Sequence, residues 1–294
     1  MRQSEGIVLG QGGLKLFYQV WLPDKAFKTV ILIVHGVHEN CRHYEHLVDY
    51  FVQRGVGVYG YDQRGFGKSE GQVGHIDRFS DYREDLRLVL AELNGLESGA
   101  QVYLFCHSMG ALIGTDFMEH YSEGFAGAIL SGGPYEPVGV TSPLLVLIAK
   151  SMSALFPRFI INLGIDFENV TRDPVQRRGL EEDPLVGHCV TARWGTESLR
   201  AVDAVKARAG AIHSPVLFVH GDADKLSALH GTQAFFDSIS YPDKTLKIYP
   251  GSYHNIHGDI GWEAEMKDME EWIAGQASKA GIGKPAAFTS SERR

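Results

Sequence analysis

The sequence has no apolar run long enough for a membrane span. Its most apolar stretch, residues 144–163, is broken by Lys150, Ser151, Ser153, Pro157 and Arg158. It falls short of the roughly 18 uninterrupted apolar residues a span requires. The first ten residues carry a three-residue apolar cluster and no signal-peptide core. Positive charge is scarce as well: 28 Lys and Arg stand against 36 Asp and Glu, a net charge of -8. That balance argues against nucleic acid, whose phosphates call for a basic footprint. Cysteine is rare, with Cys41, Cys106 and Cys189 an odd set lacking metal-ligand spacing. It points to a reducing interior and away from a disulfide framework. No internal repeat stands out. These absences lead to the expectation of a soluble, cytoplasmic protein.

What is present is an ordinary apolar content, 44% of 294 residues, enough for a sizeable core in one large domain or two small ones. Residues 5–9 and 14–22 read as strands joined at Gln11-Gly-Gly13. Thr29 to Val34 is a continuous β-branched run, as expected of a strand buried on both faces in a parallel sheet. A helix over Tyr44, Leu47, Val48 and Phe51 closes at Gly55, and a strand follows at Val56–Tyr61. The next helix, with Tyr82, Leu86, Val89, Leu90 and Leu93 on one face, takes Ser80 or Asp81 as its cap. Strands follow at 102–105 and 126–130, then at 215–219 and 245–249, with helices between them. Such alternation predicts an α/β fold: a mostly parallel central sheet with helices on both faces. The pattern lapses over about 134–212, which reads as an inserted helical cap. The domain is expected over 1–276, followed by a flexible tail over 277–294.

In an open parallel sheet, ligands bind beyond the carboxyl ends of the strands. Three strand ends carry useful chemistry. Val102–Phe105 runs into Cys106-His107-Ser108-Met109-Gly110 and then a helix, the strand–turn–helix of a nucleophile elbow. Small residues two positions either side of the serine let strand and helix approach; Gly110 meets that need and Cys106 meets it approximately. Asp222 and Asp224 follow a second strand, and His254, with His257 three residues on, follows a third. A serine hydroxyl needs a neighbouring base, and the base needs a carboxylate to hold its tautomer. Ser108 is therefore the expected nucleophile, His254 the base and Asp224 the acid, with Asp222 a loop cap. The oxyanion of acyl transfer needs two N–H donors, expected from Met109 and from Val37 in the loop after Val34.

These residues resemble the monoacylglycerol lipase and lysophospholipase group of α/β-hydrolases. The likeness spans roughly 5–275. It rests on His35-Gly-Val-His-Glu-Asn40 with Tyr44, on Tyr61-Asp-Gln-Arg-Gly-Phe-Gly-Lys-Ser69, on His107-Ser-Met-Gly110, and on Gly221-Asp-Ala-Asp224 with Tyr253-His254. The resemblance implies the α/β-hydrolase fold, the triad and oxyanion donors above, and hydrolysis of esters of glycerol or similar alcohols through an acyl-enzyme. It also implies head-group contacts from Glu39 and His257, with His43 at a position where the family has arginine. Cys106 departs from the family's elbow glycine and is expected to add sensitivity to thiol reagents. A lysophospholipase or general carboxylesterase is the alternative within enzymes, and a non-catalytic ligand-binding or scaffold member lies outside them.

Other letters carry less. Gly55 to Gly60 spells a dinucleotide fingerprint, but it leads from helix into strand, the reverse of the required context. Gly67-Lys68-Ser69 lacks the opening glycine of a phosphate loop, and Arg64 there is expected to pair locally. His35, His38, His43, His46 and Cys41 cluster without a four-ligand pattern, so neither metal nor cofactor is expected. The apolar cap segment, including Leu145 and Ile148, has two readings: packing onto the core, or a lid that lines an acyl tunnel and touches a membrane surface transiently.

Overall fold

The computed structural model describes residues 1–97, 99–138 and 150–279. Eight strands form the central sheet: β1 (Arg2–Leu9), β2 (Lys15–Leu22), β3 (Thr29–Val34), β4 (Gly57–Tyr61), β5 (Gln101–His107), β6 (Gly127–Ser131), β9 (Val216–Gly221) and β10 (Lys244–Tyr249). Their spatial order is β1-β2-β4-β3-β5-β6-β9-β10. β1–β2 and β2–β4 pair antiparallel, and every later neighbour pairs parallel. All six residues of β3 are buried, as its β-branched run requires.

Period-two alternation sorts the strand residues onto two cores. Leu32, Val34, Leu104, Cys106, Leu130 and Phe218 face one side. They pack against α2 (Ser80–Leu96), α3 (Met109–Met118), α5 (Ala192–Arg208) and α6 (Leu229–Ser238). Ile31, Ile33, Phe105, Ile129 and Val219 face the other side and meet α1 (Glu45–Gln53) and α7 (Glu263–Lys279). Each such side chain contributes about 1.5–3 kcal/mol relative to exposure.

Three local expectations change. Phe79, not Ser80 or Asp81, is the N-cap of α2 and makes no side-chain cap bond. α7 runs through Lys279, beyond the point where the tail was expected to begin. Arg64 does not pair locally: its guanidinium grips Asp85 of α2 at 2.5 and 2.7 Å and also donates to the Gln11 carbonyl. The cap stretch contains α4 (Pro174–Glu182) and a two-stranded antiparallel pair, β7 (Ile160–Asn162) and β8 (Cys189–Thr191), where few strands were expected. Leu145 and Ile148 lie outside the described residues.

Candidate active site

The elbow follows from its neighbours. Ser108 has φ 54° and ψ -119°, a strained conformation for a residue with a side chain and one that costs on the order of 1–3 kcal/mol. The buried end of β5 and the fully buried α3 on either side hold it there. A β-carbon at Gly110 would collide with the Val34 carbonyl oxygen of β3, so glycine is required. Cys106 is accommodated by a second glycine. A β-carbon at Gly114 would lie 2.6 Å from the Cys106 sulfur, so Gly114 of α3 leaves the room that the elbow cysteine takes. The thiol is fully buried and burial pushes its pKa up, both of which work against the expected reactivity toward thiol reagents.

Three strand ends converge on this serine. The Ser108 hydroxyl donates to His254 Nε2 at 2.8 Å, and His254 Nδ1 donates to Asp224 Oδ2 at 2.7 Å. The other Asp224 oxygen accepts the amides of Leu226 and Ser227, which fixes the carboxylate. Asp222 points elsewhere and clamps the loops by accepting the Gly251 amide at 2.6 Å. Burial pushes the Asp224 carboxyl up, but the His254 ring and its hydrogen bond outweigh that and hold it below the usual range. Burial likewise pushes His254 down, and Asp224 more than reverses it, leaving the imidazole above its ordinary value.

The loop after β3 is locked in place. The Gln63 amide donates to His35 Nε2 at 2.9 Å, so His35 carries its proton on Nδ1 and donates to the Gly36 carbonyl at 2.7 Å. Glu39 folds back to accept the Gly36 amide at 2.8 Å. A β-carbon at Gly36 would lie 3.2 Å from that of Ser108. Val37 and Met109 line the same cavity as Ser108 and His254. Met109 opens α3, where no carbonyl one turn back is available for its amide.

The expected head-group residues separate. Glu39 lies on the cavity wall. His257 lies beneath it, buried and stacked on Tyr44 at 4.6 Å, because the short helical turn over Ile256–Gly258 points it into the core. His43 Nε2 donates to Asp183 at the end of α4, 2.9 Å away, and Asn40 donates to the same oxygen. His43 therefore ties the loop to the cap. The other loop histidines also disperse, with His46 accepting from Gln176 and stacking on Trp262. Among the described residues, no group of three or more metal-ligating side chains comes together. The glycine–lysine–serine stretch is a turn built around Asp62, which accepts the Lys68 amide and, through its carbonyl, the Ser69 hydroxyl.

Sequence reasoning passed over Asn255. It adjoins His254 but belongs to no motif, and its partners, Glu39 and His107, come from the loop after β3 and the end of β5. The wall above the serine, from Ile161, Leu163, Phe167, Leu180, Trp194, Leu199 and Val202 among others, is apolar and encloses about 420 Å³. Trp194 is pinned by an N–H bond to the Tyr82 hydroxyl at 3.1 Å.

A parallel sheet with a serine, histidine and aspartate joined at three strand ends is the arrangement of an α/β-hydrolase. Residues 25–261 match the family described as Hydrolase_4, serine aminopeptidase, S33, and the chain belongs to it. It is 30% identical to the monoacylglycerol lipase of Mycolicibacterium smegmatis, over 92% of this chain and 97% of that protein. A solved structure of the Paleococcus ferrophilus monoacylglycerol lipase superposes with a TM-score of 0.78 at 25% identity, covering 94% and 100% of the two chains. A soluble variant of monoglyceride lipase from Saccharomyces cerevisiae, solved with a substrate analogue, gives 0.82 at 23%, covering 94% and 95%, and shares the fold. The chain is a carboxylic ester hydrolase.

Proposed function

We propose that the chain hydrolyses monoacylglycerols, with Ser108 as nucleophile, His254 as base and Asp224 as its orienting acid. The observation that carries this reading is the Ser108–His254–Asp224 hydrogen-bond chain at the floor of an apolar cavity. The lipases to which the chain is similar support the same substrate class. In the reaction, His254 takes the Ser108 proton as the oxygen attacks the ester carbonyl. The N–H groups of Val37 and Met109 receive the developing oxyanion, each worth about 3–4 kcal/mol of transition-state stabilisation. His254 then protonates the departing glycerol oxygen. Water, deprotonated by the same ring, cleaves the acyl-enzyme to free fatty acid. The acyl chain lies along the apolar cap wall, and the glycerol end lies toward Glu39 and Asn255.

The family description raises an aminopeptidase as a second reading. A substrate ammonium needs an available carboxylate. Among the described residues that line the cavity, Glu39 is the one carboxylate, and it is already taken by three donors. The ester reading is therefore favoured. The cap leaves Leu155, Phe159 and Ile160 exposed at 73%, 54% and 64%, which supports transient contact with a lipid surface. Among the described residues, no helix is long and apolar enough to cross a membrane. Three unpaired cysteines support a cytoplasmic setting.

The test is covalent labelling by a fluorophosphonate together with a substrate panel of varied chain length and head group. Ser108→Ala should lose labelling and nearly all turnover. Persistent labelling would refute the assignment, and a preference for lysophospholipids or amides would move the substrate. Activity should also fall on acidification through an apparent pKa above the ordinary histidine value of about 6.5, because the base must be neutral to act. The same shift works the other way for the fold. The share of stability that comes from His254 is full below its unfolded pKa and is lost as pH rises through the folded one, whereas the share from Asp224 is lost as pH falls through its lowered folded value.

A further inference from the structure

Below the serine, two loops and a strand end, distant in sequence, are joined by one side chain. Asn255 Oδ1 accepts from His107 Nε2 at 2.8 Å, and Asn255 Nδ2 donates to Glu39 Oε1 at 3.0 Å. We infer that Asn255 is a positioning residue for the reaction, its amide clasping the oxyanion loop to the nucleophile strand at the foot of the triad. The inference rests on the reading of Ser108 and His254 given above.

Each partner flanks a reacting group. His107 immediately precedes Ser108, and its ring lies 4.9 Å from that of His254. Glu39 holds the Gly36 amide, one residue before the proposed donor Val37, and also accepts the Tyr44 hydroxyl at 2.5 Å. Asn255 itself follows His254, and its backbone amide donates to the Val170 carbonyl of the cap stretch at 2.9 Å. The clasp thus joins the oxyanion loop, the nucleophile strand, the His254 loop and the cap.

The chemistry of the site calls for a carboxamide. Burial pushes His107 down to about 4, so the ring is neutral and offers one N–H, which requires an acceptor. Burial alone would push the Glu39 carboxyl up. The donors on its two oxygens, the Tyr44 hydroxyl and the Gly36 and Asn255 N–H groups, are set against that and hold the group below the usual carboxylate range. Only a side chain that accepts at one end and donates at the other satisfies both neighbours at once.

The groups that face Asn255 are Glu39 and Tyr44 from the loop after β3, His107 from β5, and His254 and His257 from its own loop, with Asp224 acting on His107 from the loop after β9. In Asn255→Asp at neutral pH and above, the new carboxylate confronts Glu39. The loops separate and kcat falls by about 100-fold. On acidification the two carboxylates share a proton, a donor to Glu39 is restored, and the ratio of wild-type to variant kcat shrinks. The ratio is taken after each kcat is corrected for the fraction of neutral His254 read from that protein's own pH profile, because the added carboxylate also raises the His254 ring.

A ratio near one, or a reduced kcat with a pH-independent ratio, would overturn the proposal; the second is what a merely structural role produces. The wild type provides a readout that needs no variant. Nitrogen-15 NMR of His107 should show a neutral Nε2–H tautomer at neutral pH, and an Nδ1–H tautomer would overturn the clasp. Failure of the triad reading is distinguishable, since it appears as fluorophosphonate labelling that survives Ser108→Ala. The tautomer then decides the clasp alone.

Discussion

The floor of the cavity and its cap are built on opposite terms. On the floor, the side chains of His254, Asp224, Glu39, His107 and Asn255 are buried and are joined by hydrogen bonds of 2.7–3.0 Å. The cap presents aliphatic and aromatic surface both to the cavity and to the outside. Carboxylate links tie the cap to the core, among them Asp183 to His43, and Arg172 to Asp259, which also accepts the Tyr253 amide beside His254. The difference follows from what each part must do. Acyl transfer fails when donors shift by a fraction of an ångström, so the floor is over-determined. Dispersion and hydrophobic contact with an acyl chain are non-directional, so the cap needs shape and apolar area more than fixed geometry.

Substitutions should separate these terms. The largest effect is expected at the floor. Asp224→Asn keeps the shape but removes the charge that holds the tautomer, and should lower kcat by about 10⁴-fold, read with a soluble ester. A loss under tenfold would place the acid elsewhere. Charging the cap with Leu155→Asp and Ile160→Asp together should act on a different axis. Binding to phospholipid vesicles and turnover of dispersed long-chain monoacylglycerol should fall, while turnover of a short soluble ester stays at the wild-type level. Equal losses on both substrates would mean that the cap surface supports the fold and not a lipid contact. The smallest effect concerns the elbow. Gly114→Ala should destabilise by about 1–3 kcal/mol through overpacking against Cys106, measured by denaturant unfolding. Adding Cys106→Gly in the same chain should restore most of it, and simple additivity of the two changes would show that they do not share the space.

Much of the fold could be read before any coordinates. The β-branched run of β3, the helical spacing around Leu86 and the serine between strand and helix are local signals, and local signals survive in sequence. The serine, histidine and aspartate that join in one hydrogen-bond chain were also legible, because chain order and strand-end placement leave few candidates. Less legible were features that depend on residues far apart. Arg64 finds Asp85 on α2, and His43 finds Asp183 across the cap. Spacing cannot show such partners. His257 was expected beside the substrate, and the helical turn after His254 points it into the core against Tyr44.

By itself, then, the sequence determined the alternation of strand and helix, the elbow at Ser108 and the identity of the residues able to do acyl chemistry, since each rests on side-chain type and short-range pattern. Tertiary structure alone decided how Cys106 fits, through Gly114. It also decided that Asn255 joins Glu39 to His107 and that the cap walls are apolar on both sides. These depend on which atoms come within about 3 Å of one another, and only the packed chain sets that.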